Sequence, residues 1–426
     1  MGYGIPAQLV SSPSSTGYSM VTGYPAILAS VACDGTPGGI VSVYDGTRLL
    51  FQVSTSEKYT SFHTPINCAT NINVTHSGTG SYSILYARTE GSYNRANENA
   101  AWDLVIPSPT DLTTTLISDE EVFAMCEFNG LLYIGYYTAL GNTVAKLYKW
   151  DGSTLTLAYT FGTGNSFRIV SSLCVYGGNL YAGIEGSTAG AGDIYVSSGT
   201  DDTTWTKSYE ASTYHTCFYM ATYGANLYAA MGWNTGEGDV LQFDGVTWTV
   251  SLDNASPTNL IEYLGVHGSD LYASGGGPNG GNAVIYKFDG ATWTTSYSGT
   301  GTGYTSIISL VSYNGELYAG AQGAADVLKF NGSSWSLAYR YTVPTLPRTN
   351  QVNRIHGLCV YDGKLFVGIG NIRTYNAILI YNGHTWTTSF VGNDEREVFR
   401  IVSALGGLYV GMGFSHGMAN IYKYKG

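Results

Sequence analysis

The sequence predicts an all-β protein, most of it a tandem repeat of one four-stranded antiparallel unit. Three observations carry this. An aromatic residue follows a turn seven times, in "NGLLYIG" (Tyr133), "GGNLYAG" (Tyr181), "GANLYAA" (Tyr228), "GSDLYAS" (Tyr272), "NGELYAG" (Tyr318), "DGKLFVG" (Phe366) and "GGLYVG" (Tyr409), at spacings of 48, 47, 44, 46, 48 and 43 residues. Self-similarity at such a period marks a repeat architecture. The composition agrees: the 426 residues include 36 Tyr and 56 Gly but only 12% charged residues, against roughly 25% in an ordinary soluble domain. Finally, no stretch shows an extended helical period.

Within a repeat the strands read A to D. Strand A precedes the anchor, as in "FRIVSSLCVY", "SIISLVSY" and "RIHGLCVY". Strand B carries the anchor, and strand C follows as "KLYKW", "DIYVS", "DVLQF", "VIYKF", "DVLKF", "AILIY" or "NIYKY". Strand D returns with Leu155, Trp205, Trp248, Trp293, Trp335 or Trp386. Asn-Gly, Gly-Gly and Asp-Gly suit tight A–B and C–D hairpins, whose turns need positive φ. A four-stranded unit of about 40–50 residues is the signature of a β-propeller blade. The Trp residues of strand D and the Tyr anchors are expected to pack the blades.

The chain ends on "NIYKYKG", residues 420–426, so six D strands serve seven repeats. The missing strand lies ahead of the first repeat. "AWDLVIP", 101–107, has the Trp and the alternation of a D strand, and Trp102 precedes Tyr133 by 31 residues, within the 23–31 seen elsewhere. Residues 101–106 should therefore pair with 419–424. Such pairing would close a seven-bladed ring without a free edge, with Trp102 as the closure residue.

Residues 1–92 fall outside the repeat. Their segments "AILASVACDG", "GIVSVYDGT", "LLFQVS", "INVTHS" and "YSILYAR" are separated by Gly, Pro, Ser and Thr. That pattern reads as a small antiparallel β-sandwich. The polar stretch "GSYNRANENA", 91–100, connects it to the rest. The expected organisation is thus a sandwich over 1–92, a linker over 93–98 and a propeller over 99–426.

"PAILASVACDGTPGGIVSVYDGT" followed by "SFHTPINCATNINVTHSGTGSYSILYA" resembles small β-sandwich modules of tailed-bacteriophage virion proteins, which recur on head fibres, decoration proteins and tail appendages. The remainder resembles seven-bladed propellers with lectin and kelch-like relatives. The resemblance implies a virion protein (fibre, spike or decoration). Its sandwich would be held by a capsid, portal or tail protein, and its propeller would be displayed outward, in several copies, towards a host-surface glycan. Fold likeness alone does not settle function. A lectin unconnected with virions and a glycan-cleaving enzyme are the alternatives. The turn "SSGTDDTTWT", 197–206, is similar to the Asp-box of sialidase propellers, which is a structural turn.

The formal net charge of −11 argues against nucleic acid or an anionic membrane as partner. The N-terminal "MGYGIPAQLVSSPSS" lacks the basic and apolar regions of a signal peptide. No apolar run reaches the ~18 residues of a membrane-spanning helix. Of the six cysteines, Cys126, Cys174 and Cys359 each lie seven residues before an anchor. They occupy one equivalent position and are read as packing residues. Cys33 and Cys68 are left as a candidate bridge, which spacing alone does not establish.

Function should reside in the long, varied B–C and D–A connections, such as "YYTALGNTVA", "GGGPNGGNA", "NIRTYNA", "GFSHGMAN" and "RYTVPTLPRTNQVNR". Trp233, Tyr136, Tyr137, Tyr304, Tyr341, Tyr375 and Phe414 lie in or beside them, and exposed rings can stack on sugars. Catalysis is not expected. "GFSHG", 413–417, matches the nucleophile elbow but lacks its strand-to-helix context. Carboxylates at Asp119, Glu120, Glu121 and at Asp394, Glu395, Glu397 read as an acidic rim, although glycoside hydrolysis uses a carboxylate pair. Arg168, Arg354 and Arg400 invite comparison with the sialidase arginines, but lie 13, 12 and 9 residues before their anchors. Asp193, Asp239 and Asp326 open C strands and are read as strand-end caps rather than calcium ligands. No cofactor or metal is expected.

Overall fold

The computed structural model describes the backbone of 101–426 except 108–119, 139–143, 163–166, 187, 200, 233–237, 255–259, 278–281, 342–352, 372–374, 393–396 and 414–418; before residue 101 it describes strand backbone only. The chain divides into two compact units, Met1–Arg95 and Ala96–Gly426. That division falls inside the stretch read as the linker. Among the described residues every regular element is a strand.

The first unit forms two four-stranded sheets. In one, Ala26–Gly35 lies between Tyr59–Cys68 and Gly80–Arg88, and Gln8–Ser12 pairs with the latter. In the other, Ile72–Ser77 lies between Gly17–Thr22 and Ile40–Asp45, and Arg48–Ser54 flanks the latter. The register corrects the bridge considered from the sequence. Cys68 sits opposite Ala26, and Cys33 opposite Tyr82 at the far end of the same strand. Seven residues of strand separate the two cysteines by about 20 Å, well beyond the reach of a disulfide.

The second unit is built from successive antiparallel sets in the expected A–D order. The first is Glu120–Phe128, Leu131–Thr138, Ala145–Trp150 and Leu155–Phe161. The A–B turn at Asn129 and Gly130 has φ of 51° and 74°, and that at Asn314 and Gly315 has 50° and 78°. These left-handed pairs are why Asn-Gly recurs there. In the C–D turns Asp151, Asp244, Asp289, Asn331 and Asn382 each accept two backbone N–H bonds at 2.8–3.0 Å through Oδ1. The Asp-box likeness is therefore a likeness of turn chemistry.

Trp102–Ile106 pairs with Ile421–Tyr424, with Trp102 opposite Tyr424 and Ile106 opposite Ile421. This matches the register of the other D strands, where Phe243 faces Trp248, Phe288 faces Trp293 and Tyr381 faces Trp386. A second regularity was not visible in the sequence. Each of several D-strand indoles donates to a serine three residues past the aromatic of the preceding set. Trp248 bonds Ser208 at 3.0 Å, Trp293 bonds Ser251 at 3.1 Å and Trp335 bonds Ser296 at 3.0 Å. Trp102 bonds Ser389 at 2.9 Å in the same way. Where that serine is absent, as at Ala158 before Trp205, the indole donates to Asp202 O instead.

Burial refines the packing roles. The anchors are covered, with Phe366 at 0% and Tyr409 at 1% exposure. Trp102 and Trp205 are buried, but Trp248, Trp293, Trp335 and Trp386 are only half-buried. They stack on the strand-C aromatic, as Trp293 does on Phe288 at 4.9 Å. Tyrosines that end A strands tie successive sets together: Tyr176, Tyr223 and Tyr361 donate to Ala225 O, Ser269 O and Gly406 O.

Candidate binding site

Residues of seven A strands line one cavity of about 590 Å³. Its wall includes Cys126, Cys174, Ala221, Gly265, Val311, Cys359 and Val402, each paired opposite its anchor. Small side chains at this one position keep the bore open. The cysteines are thus wall residues. Burial pushes the thiols of Cys126 and Cys359 up to about 11, so they are poor nucleophiles.

Each A strand carries a β-bulge ten residues before its anchor, at Phe123, Ser171, Phe218, Glu262, Ile308, His356 and Phe399. A bulge adds an unpaired residue and re-aims side chains, and is common beside functional sites. One residue further on, the bore is obstructed. Tyr219 and Tyr263 stack at 3.9 Å and share a hydroxyl hydrogen bond of 3.0 Å. Arg400, from the last A strand, lies 5.6 Å from the Tyr219 ring centre, and its Nε donates to Phe123 O.

On the side of this plug towards the D–A connections, charge gathers. Glu397 is fully buried, with Arg354 Nη1 at 3.5 Å and His356 Nε2 at 3.3 Å. Neither its oxygens, nor Arg354 Nε, nor His356 Nε2 makes a hydrogen bond of good geometry among the described residues. Ser306 donates to Glu262, whose carboxyl burial raises above the ordinary value, against the pull of Ser306 and Arg354. His356 stacks on Phe399 at 4.7 Å, and Phe399 meets Phe123 at 5.3 Å. Gly370 makes room for Glu397: a Cβ there would lie 2.8 Å from the Glu397 Cα, Cβ and Cγ.

Burial lowers the His356 pKa, although Glu397 opposes this. As pH falls through the ordinary imidazole value of 6.5, the unfolded chain takes up a proton that the folded chain refuses, so stability drops on acidification. Glu262 has the opposite sign: its contribution is present below its ordinary value of 4.5 and fades as pH rises through its raised folded value. We expect His356→Gln to flatten the loss of thermal stability from about pH 6.5 downward. Melting curves across pH 5–7.5 on both proteins check this; a parallel downward course in the variant would show that other groups cause the loss.

The residues singled out from the sequence divide. Glu397, Arg354 and Arg400 meet in the channel. The side chains of Glu120 and Arg168, and all of Asp119, Asp394 and Glu395, lie outside the description, as do Trp233, Phe414 and the core of "GFSHG". Tyr375 begins a strand paired with Asn371, its side chain likewise undescribed. Tyr136 does not present a surface ring. It is 1% exposed and meets Tyr148 edge-on at 5.4 Å, because the strand alternation turns it to the covered face. Tyr137, next along, is half-buried and contacts Phe123 at 6.4 Å. Tyr304 donates to Asp326 Oδ2 at 2.5 Å, and burial with this bond raises its phenol to about 12. Tyr341 is half-buried against the core around Val327 and Leu358.

Asp326 is gripped by Arg340 at 2.9 and 2.7 Å. Asp193 and Asp239 accept Ala211 N and Asn254 N, each at 2.9 Å. These are cap and ion-pair roles, and no metal-type cluster occurs among the described residues. Glu262 and His356 escaped sequence analysis; the signal was an ionisable residue ten before an anchor, where other repeats carry Phe, Ser or Ile.

No family model and no curated protein matches the chain. Solved structures do. The extracellular domain of the putative hybrid two-component system BT4673 from B. thetaiotaomicron is 13% identical with a TM-score of 0.52, covering 76% of this chain and 40% of that one. Kuenenia stuttgartiensis hydrazine synthase is 10% identical with a TM-score of 0.51, covering 72% of this chain and 96% of that one. The likeness is one of fold: an all-β, propeller-like architecture. This chain spans about two fifths of the length of the first of these.

Proposed function

We propose that this protein is a non-enzymatic display protein: a β-sandwich over 1–92 holds it to a bacteriophage particle, and a seven-bladed propeller over 99–426 binds host-surface glycans. The observation that carries the binding role is the ring of bulged A strands, with buried ionisable groups and aromatic rings gathered on the side of the varied connections. Closure by 101–106 is supported by the Trp102–Ser389 bond, which repeats the spacing between successive blades, and by Glu121 pairing with Gly413, as Tyr137 pairs with Ile169. The virion role rests on the resemblance of the first 92 residues, and the glycan role on the site chemistry and the aromatic connections.

Trp233→Ala should weaken glycan binding by roughly 1–2 kcal/mol, about five- to thirtyfold, as truncation of an aromatic hot spot does, while leaving the melting temperature unchanged. Glycan-array titration and thermal unfolding of the full chain check this, beside mass spectrometry of purified particles for the protein. Binding to no glycan, together with absence from particles, would overturn the proposal.

A further inference from the structure

The cavity of about 590 Å³ lies on the side of the plug towards the A–B turns, and much of its wall is backbone. In every repeat a two-residue turn joins strands A and B. The strand pair beside such a turn is hydrogen-bonded, and the next pair along is not. That next position is Val266 in the fourth repeat, opposite Leu271, and Ser312 in the fifth, opposite Leu317. Its N–H and C=O therefore point away from strand B, to the edge of strand A that borders the cavity. Beyond the opening residues of the A strands, no strand pairs with that edge among the described residues. Leu264 and Leu310, two residues earlier, line the cavity with side chains at most 3% exposed, so they too meet it through backbone.

Three thiols cover part of this edge. Cys126, Cys174 and Cys359 donate to Glu127 O, Val175 O and Val360 O at 3.5, 3.8 and 3.6 Å. They accept the N–H of Val175, Thr222 and Ser403 in the next repeat. The third, fourth and fifth repeats hold Ala221, Gly265 and Val311 at the thiol position, and these side chains offer no such bond. Thr222 O, the N–H and C=O of Val266 and of Ser312, and Val360 N–H are thus left open to the cavity.

The geometry points to a site for a short, neutral peptide in extended form, added as a strand to the open A edges of the fourth and fifth repeats. It is separate from the glycan reading, which concerns the opposite side of the plug. The open groups at Leu264 and Val266, and at Leu310 and Ser312, recur every second residue, as those of an extended chain do. A secondary amide supplies the donor and the acceptor that they need. Charge sets the second condition. Among the side chains lining the cavity only Glu127 carries charge at neutral pH, and it is exposed and accepts Leu405 N–H at 2.7 Å. No cation stands ready for a carboxylate, so a charged chain end would lose its hydration without a partner. Size sets the third. Val266 lies three residues from Tyr263 in the plug, about 10 Å of strand, and the cavity falls within the roughly 300–1,000 Å³ of ligand pockets. That admits two or three residues with small side chains.

The test uses the full chain and N-acetyl-dialanine N-methylamide, observed by saturation-transfer NMR and titrated, beside the same compound with its amide nitrogens methylated. The first should bind, and the second at least about tenfold more weakly, because methylation removes the donors. Val311→Cys sets a thiol between Ser312 O and Val360 N–H, as Cys126 stands between Glu127 O and Val175 N–H. It should weaken the peptide about fivefold, the scale of the hydrogen bonds covered, with the melting temperature kept. Thr222→Trp, at an exposed rim position, should block entry, which covers the case of a Val311 variant that fails to fold. Failure of the capped dipeptide to bind, equal binding by the methylated compound, or unchanged binding by the folded variants would overturn the site and leave the glycan-binding reading standing.

Discussion

Deleting residues 1–106 is expected to leave a protein that aggregates and loses at least about 5 kcal/mol of stability, whereas deleting 1–95 should leave a soluble, cooperatively folding domain. The two differ by one short strand. Within it Trp102 is 5% and Ile106 2% exposed. Trp102 touches Phe366, Phe390 and Tyr424 at 6.4, 6.4 and 5.0 Å and bonds Ser389. Ile106 joins a core with Val122, Tyr136, Tyr409 and Ile421, residues from both ends of the repeat array. Losing the strand takes Ile106 and Trp102 out of two core clusters and bares Ile421–Tyr424 as a free edge, an invitation to pairing between molecules. Urea denaturation and light scattering on the two truncations decide it. A shorter truncation that unfolds while the longer one folds would refute closure.

Phe366→Ala should cost ~3–5 kcal/mol, the range for a fully buried Phe. Its ring is 0% exposed and meets Trp102 and Tyr424 edge-on at 6.4 and 5.1 Å, so truncation leaves a cavity that rigid strands cannot collapse. Trp293→Ala should cost less, about 2 kcal/mol. That ring is half-exposed, and what it loses is the stack on Phe288 and one bond to Ser251. Denaturant midpoints on the two variants test the order. Equal losses would mean that the half-exposed tryptophans matter as much as the covered anchors.

The difference between these two residues shows where sequence reasoning reaches its limit. Both were legible as packing residues, because their position in the repeat is invariant. Their degree of burial was not, since it depends on how far one sheet overlaps the next. The same limit applies at Tyr136 and Tyr137. Both lie beside a varied connection in the sequence, but the strand turns the first into the core and the second only partly outward.

By itself the sequence determined the all-β class, the strand order within each unit, the turn chemistry and the pairing of 101–106 with the last strand. These are properties of local pattern and of repetition: alternation, positive-φ residues and a fixed period report themselves along the chain. Only the tertiary structure decided what meets in the centre. Glu262, His356, Arg354, Glu397 and Arg400 come from three different units; Glu262 and His356 share one repeat position, but that spacing does not announce which units meet. They do so because strands far apart in the chain line one cavity and each carries a bulge at one equivalent position, and contact between separate units is a property of the tertiary structure that no single repeat contains.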